Sequence, residues 1–176
     1  MTSRPDILRD LFSHVQSDRL TAPRLLAYLA QRGFYTQVAG RYHGDYVGGL
    51  FDHSLAVTRK LLEITDGLKL AWGRDDSPYI VGMFHDLCKI NAYETKMVDG
   101  RLVIDSVPNL PRGHGETSVK YLGRLIPLTD EERLCIRYHM GPYMREDWDG
   151  YDDAIKKYET VLWTHTADMY ASRLMR

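Results

Sequence analysis

Ile7, Leu8, Leu11, Phe12 and Val15 fall on one stripe of a helix, and apolar residues keep that spacing along most of the chain. A side chain repeated every three or four residues obliges a segment to coil with a period near 3.6 and to bury that face against another helix. Ser3 and Pro5 precede the first stripe as start signals. Thr21, with Pro23 just inside, opens a second segment over 25–29, which Gly33 closes. Leu50, Ala56, Val57, Leu61 and Ile64 mark a third helix ended by Asp66-Gly67, and Ser77-Pro78 starts a fourth over 79–84 that runs into His85-Asp86. Residues 93–105 break the pattern: Asp99-Gly100 separates two short β-prone runs, which predicts a hairpin. Helix resumes after Gly115 with Val119, Leu122, Leu125 and Ile126. Thr129 and Glu132 form a capping box for a helix over 133–140. A polar, turn-rich stretch to about Gly150 leads into a last helical region reaching Leu174. The expectation is an all-α bundle of six or seven helices with one small β-hairpin near 93–105. With no repeat and no linker, residues 1–176 read as a single domain.

Charge narrows the partners. The 23 Lys and Arg nearly balance the 24 Asp and Glu, leaving a net charge of -1. A chain that grips long stretches of phosphate backbone carries a basic excess, so long duplex nucleic acid is not an expected partner. Cys88 and Cys135 sit in apolar stretches and read as buried thiols of a reducing compartment. The N-terminus lacks a signal peptide's basic start and apolar run. No run of roughly 18 apolar residues offers a membrane span. The expected location is cytoplasmic.

Seven histidines are few enough to weigh singly. His53 lies near the start of the third helix, His85-Asp86 at the end of the fourth, His114 between two glycines at a helix start, and His139 near the end of the capped helix. Asp168 lies within the last helix. Each has an ordinary structural reading. His53 fits a core histidine bonded to a carbonyl, His114 a turn or cap residue, and a lone His-Asp pair arises often by chance. Asp168 and His139 resist that reading, because both face the apolar side of their helices. A buried carboxylate without a partner costs several kcal/mol, on the order of a broken ion pair, and a metal is a suitable partner.

In order, His53, His85-Asp86, His114, His139 and Asp168 resemble the HD-domain metal-dependent phosphohydrolase superfamily in its six-ligand, two-metal form. Residues 48–55 (Gly-Gly-Leu-Phe-Asp-His-Ser-Leu) and 84–90 (Phe-His-Asp-Leu-Cys-Lys-Ile) look like its first two motifs; 113–118 (Gly-His-Gly-Glu-Thr-Ser) and 137–140 (Arg-Tyr-His-Met) look like the next two. The arrangement is similar to the catalytic domain of HD-type 3′-to-5′ exoribonucleases and to small stand-alone HD proteins of bacteria and phages. The resemblance spans 40–175 and leaves the N-terminal helices, 1–33, outside the motifs. One residue departs from the pattern: the family usually has Gly before the second motif's Lys, where this chain has Cys88 before Lys89. Cys88 is read here as a structural thiol and not a ligand.

The resemblance implies an HD-domain bundle in which His53, His85, Asp86 and Asp168 hold one metal, while Asp86 bridges to a second completed by His114 and His139. Imidazoles and carboxylates suit two divalent transition-metal ions among Mn, Fe, Co, Ni and Zn. Two such ions roughly 3.5–4 Å apart share a bridging hydroxide that attacks phosphorus in line. Asp86 and Lys89 are then the catalytic candidates. Lys89, Arg112, Arg41 and His43 are the candidates for holding substrate phosphate. Tyr42, Tyr46 and Tyr93 are candidates for stacking on a base, and His165 for orienting Asp168. The implied activity is phosphoester hydrolysis of a nucleotide or short oligonucleotide. Two alternatives share the ligand order: a mixed-valent di-iron HD-domain oxygenase acting on a polyol or phosphonate, and a non-catalytic nucleotide-binding HD module.

Overall fold

The structure is a computed structural model that describes residues 2–16, 19, 22–40, 43–107, 113–142 and 147–174. Among them are eight α-helices: α1 (Arg4–Phe12), α2 (Ala22–Gln31), α3 (Gly49–Leu68), α4 (Ser77–Phe84), α5 (His114–Leu122), α6 (Asp130–Arg137), α7 (Trp148–Lys157) and α8 (Thr160–Leu174). A 3₁₀ turn, Leu87–Asn91, follows α4, and strands β1 (Tyr93–Val98) and β2 (Arg101–Ser106) follow the turn. The eight helices exceed the six or seven expected. The excess comes from the C-terminal region, where Tyr158 adopts an extended backbone (φ -141°, ψ 103°) and divides α7 from α8. Both pieces carry enough apolar side chains to read as one helix when only periodicity is considered. None of the described helices is long and apolar enough to cross a membrane.

Local chemistry explains the boundaries. Ser3 caps α1 by accepting from the Asp6 N–H at 3.3 Å. Thr129 and Glu132 cap α6 reciprocally: the Glu132 N–H donates to Thr129 Oγ1 at 3.2 Å, and the Thr129 N–H to Glu132 Oε2 at 2.8 Å. The hairpin is antiparallel, with Val98 opposite Arg101. Its two turn residues, Asp99 and Gly100, both have positive φ (49° and 75°), as the tightest two-residue hairpin turn demands.

The long helix α3 packs on α4 and α8, while α6 packs on α4, α5 and α8. Between them lies one core that includes Leu50, Val57, Leu61, Ile80, Phe84, Leu87, Ile136 and Val161. The N-terminal helices belong to this core. Leu8, Phe12, Leu25 and Leu29 are buried in it, and the Phe12 and Phe84 rings meet at 5.8 Å. Arg19 is buried beyond α1 and donates to Asp76 Oδ1 (3.0 Å), Glu132 Oε1 (2.7 Å) and the Pro127 carbonyl (3.1 Å), with a further bond to Glu132 Oε2. One guanidinium thus ties the N-terminal segment to the starts of α4 and α6. Arg4 forks onto Asp52 at 2.9 and 2.7 Å, anchoring α1 to the residue before His53.

Candidate metal centre

Two glycines let the ligand-bearing helices approach closely. A Cβ on Gly82 of α4 would lie 2.6 Å from the Thr58 Cα of α3, and one on Gly115 of α5 would overlap the Arg137 carbonyl at the end of α6. His53 lies on the core-facing side of α3 with Leu50, Val57 and Leu61. His85 closes α4, and its backbone N–H still bonds the Val81 carbonyl. Asp86 then leaves the helix at φ -103°, ψ 20°, in the sparsely populated bridge region where many active-site residues sit. The 3₁₀ turn that follows has three residues per turn, so Lys89 returns over Asp86 and its ammonium sits 2.6 Å from Oδ2.

His85 and His139 are held by the same device. His85 Nδ1 donates to the Gly82 carbonyl at 2.8 Å, and His139 Nδ1 to the Ile136 carbonyl at 2.7 Å. A carbonyl only accepts, so each ring carries a proton on Nδ1 and turns its Nε2 inward as the atom a metal would take. The Nε2 atoms of His53 and His85 are 3.3 Å apart. His53 Nε2 is 3.1 Å from Asp168 Oδ1 and 3.6 Å from Asp86 Oδ2; His85 Nε2 is 3.4 Å from Asp86 Oδ2 and 3.8 Å from Asp168 Oδ1. On the other side of Asp86, His139 Nε2 stands 3.4 Å from Oδ1.

Ligands at about 2.0–2.2 Å from one ion lie roughly 3–3.6 Å from each other, and these separations fall around that range. A second sign points the same way. Asp86 Oδ1 and His139 Nε2 are both buried and have no hydrogen-bond partner among the described residues. Orphaned buried groups cost about 1–3 kcal/mol each, a cost that a cation held between them removes. Three groups of side chains have ligand atoms within 4.8 Å of one another: His53, His85 and Asp86; His85, His139 and Asp168; and Asp86, Cys88 and His114. Together they contain the whole sequence-expected ligand set, joined through His85 and Asp86, and they could hold a metal ion.

Electrostatics keep the carboxylates charged. Burial pushes Asp86 up, but the charges of Lys89 and His85 outweigh it and hold the carboxyl well below its usual range. Burial likewise opposes the hydrogen bond from His53 to Asp168, which together with His85 and His139 wins and holds that carboxyl at about 2. Lys89 is buried too, yet Asp86 keeps its ammonium raised. His114 is pushed down, chiefly by burial. His43 is driven to about 4 by burial, helped by the charges of Lys89 and His53.

The remaining candidates divide by position. The His43 ring lies 4.8 Å from the His53 ring, beside the centre. Lys89 faces the centre with its ammonium engaged by Asp86, a partner the sequence did not suggest. Arg41, Tyr42 and Arg112 lie outside the described residues. Tyr46 bonds Asp52. His165 does not bond Asp168; its Nδ1 donates to the His139 carbonyl at 2.8 Å and so braces the segment carrying His139. Sequence reasoning also missed the neighbour of His114. Cys88 is buried, as expected, but its Sγ lies 3.4 Å from His114 Nδ1. Burial and the nearby Asp86 charge push this thiol up to about 12. The one available signal was the departure from Gly at that position. No protein-family model, no curated protein and no solved structure matches the chain.

Proposed function

We propose that this chain is an HD-domain, metal-dependent phosphohydrolase that cleaves a phosphoester of a nucleotide or short oligonucleotide. The observation that carries the reading is the set of overlapping groups that joins His53, His85, Asp86, His114, His139 and Asp168, together with two buried polar atoms, Asp86 Oδ1 and His139 Nε2, that have no hydrogen-bond partner among the described residues. His53, His85, Asp86 and Asp168 would hold one divalent ion, and Asp86 with His114 and His139 a second. Ions held there would supply a hydroxide at neutral pH and stabilise negative charge on phosphoryl oxygens. The chain's own residues supply the rest. The Gly82 and Ile136 carbonyls fix the tautomers of His85 and His139. Lys89 keeps Asp86 ionised. Neutral His43 offers one hydrogen bond to a substrate oxygen. The near-zero net charge favours a small anionic substrate over a long polyanion.

The test is anaerobic incubation of the Mn²⁺-loaded protein with nucleoside mono-, di- and triphosphates, cyclic nucleotides and short oligonucleotides, with products separated by chromatography. Release of a nucleoside monophosphate, a triphosphate or inorganic phosphate is expected, and Asp86→Asn should abolish it. Silence across the panel from protein carrying two ions per chain would overturn hydrolysis and turn attention to oxygen chemistry.

A further inference from the structure

We propose that Cys88 is a sulfur ligand of the second metal, so that this ion is held by Asp86, Cys88, His114 and His139. The inference rests on the metal-centre reading above and goes beyond it by adding a thiolate to the ligand set.

The geometry is specific. Around a tetrahedral ion with a sulfur ligand at about 2.3 Å and a nitrogen at about 2.0–2.1 Å, the two ligand atoms stand roughly 3.6 Å apart; a nitrogen–oxygen pair stands roughly 3.4 Å apart. Cys88 Sγ and His114 Nδ1 are 3.4 Å apart, and His139 Nε2 and Asp86 Oδ1 are 3.4 Å apart. Ligand atoms of Asp86, Cys88 and His114 also form one group within 4.8 Å. A thiol–imidazole hydrogen bond would account for the first distance alone. It leaves unexplained the second pair, two atoms of residues more than nine-tenths buried that have no hydrogen-bond partner among the described residues. Asp86 belongs to the second pair and to the Asp86–Cys88–His114 group, so an ion held by that group would sit against the carboxylate that His139 faces. Local structure holds the sulfur in place. The 3₁₀ turn presents Cys88 beside Asp86, and the Cys88 N–H donates to Ser118 Oγ of α5 at 3.1 Å, the helix that starts at His114.

Formation of the metal–sulfur bond would displace the Cys88 proton to solvent, and the resulting thiolate changes which metal the centre selects. Soft sulfur favours Zn, Fe and Co over Mn and Mg, which prefer oxygen. The second site should therefore take zinc or cobalt in preference to manganese.

Cobalt(II) reports sulfur ligation directly. Metal-free protein is titrated with Co²⁺ under argon while visible and near-ultraviolet spectra and bound cobalt are recorded. Wild type should take up two ions per chain, with a sulfur-to-cobalt charge-transfer band of one thiolate per chain. Cys88→Ser and His114→Ala should lose that band while keeping the ligand-field bands of the first site. Cys135→Ser should keep it, since that thiol faces Thr160. Zinc affinity at the second site should fall in Cys88→Ser by more than the roughly 10–100-fold that loss of an outer partner costs. Circular dichroism confirms that each variant is folded. Two bound cobalt ions without the charge-transfer band would overturn sulfur ligation and leave the metal centre standing. Failure of folded wild type to bind cobalt at all would overturn both.

Discussion

Gly82→Ala tests whether the close approach of α3 and α4 sets the ligand spacing. The added Cβ would stand 2.6 Å from Thr58 Cα, 2.6 Å from Thr58 Oγ1 and 3.0 Å from Thr58 Cβ. Comfortable carbon contacts need about 3.5–4.0 Å, so the two helices must part locally by about 1 Å. Thr58 has little freedom to turn aside, because it is buried and its hydroxyl donates to the Ser54 carbonyl at 2.8 Å. The Gly82 carbonyl also accepts from His85 Nδ1, so a shift of the Gly82 backbone moves the His85 ring with it. Metal sites tolerate about 0.2 Å in their bond lengths, and a 1 Å displacement between His53 and His85 exceeds that severalfold. Overpacking costs about 1–3 kcal/mol. Alanine recovers about 0.5–1 kcal/mol of helix propensity, leaving a net loss of up to about 2.5 kcal/mol. For a chain of this length that lowers Tm by a few degrees, at about 2–4 °C per kcal/mol.

Calorimetry of the metal-free and zinc-loaded forms separates the two effects. Zinc at about a hundred times its Kd should raise wild-type stability by about 2.7 kcal/mol. In Gly82→Ala both the metal-free Tm and the zinc increment should drop. If the variant melts higher than wild type and keeps the full increment, helix propensity has won and the steric argument is refuted.

Other perturbations probe the frame around the centre. Arg19→Met takes the buried guanidinium from Asp76 and Glu132, leaving Glu132 with no cationic partner among the described residues, and should cost about 3–5 kcal/mol, read as a lower urea midpoint at unchanged m. Burial pushes Asp76 up, but the Gln16 N–H, Arg74 and Arg19 hold its carboxyl below the usual range. Its stabilisation is therefore full above the ordinary carboxyl value of 3.8 and fades as pH falls through the lower folded value. Asp76→Asn should flatten that acid limb, and an unchanged slope would contradict the assignment. Thr129→Ala removes the capping hydroxyl and should cost about 1 kcal/mol by denaturant titration. Burial pushes the Cys135 thiol up to about 12, so it should stay inert to thiol reagents near neutral pH until the chain unfolds. The unfolded thiol ionises near 9.0 while the folded one does not, so the Cys135 contribution falls as pH rises from there towards 12.

Much of the local structure was legible because its causes are local. Ser3, the Thr129–Glu132 box and Asp99-Gly100 mark boundaries through bonds and backbone angles within a few residues. The division between α7 and α8 was not legible. Tyr158 carries no turn signal, and its extended backbone is set by where the flanking helices pack. The role of the N-terminal helices was hidden for the same reason. Arg19 finds its partners only when Asp76 and Glu132, far along the chain, fold around it.

For the centre, sequence alone determined the residue types, their order and the helix end or face that each occupies. Those follow from periodicity and capping, which act over one or two turns. Tertiary structure decided the rest: that Lys89 pairs with Asp86, that His43 sits uncharged beside His53, that His165 braces His139, and that Cys88 meets His114. These depend on how near one helix comes to the next, which the glycines at 82 and 115 permit and core packing enforces. A contact of that kind has no local signature, because its energy is realised only when distant segments exclude water together.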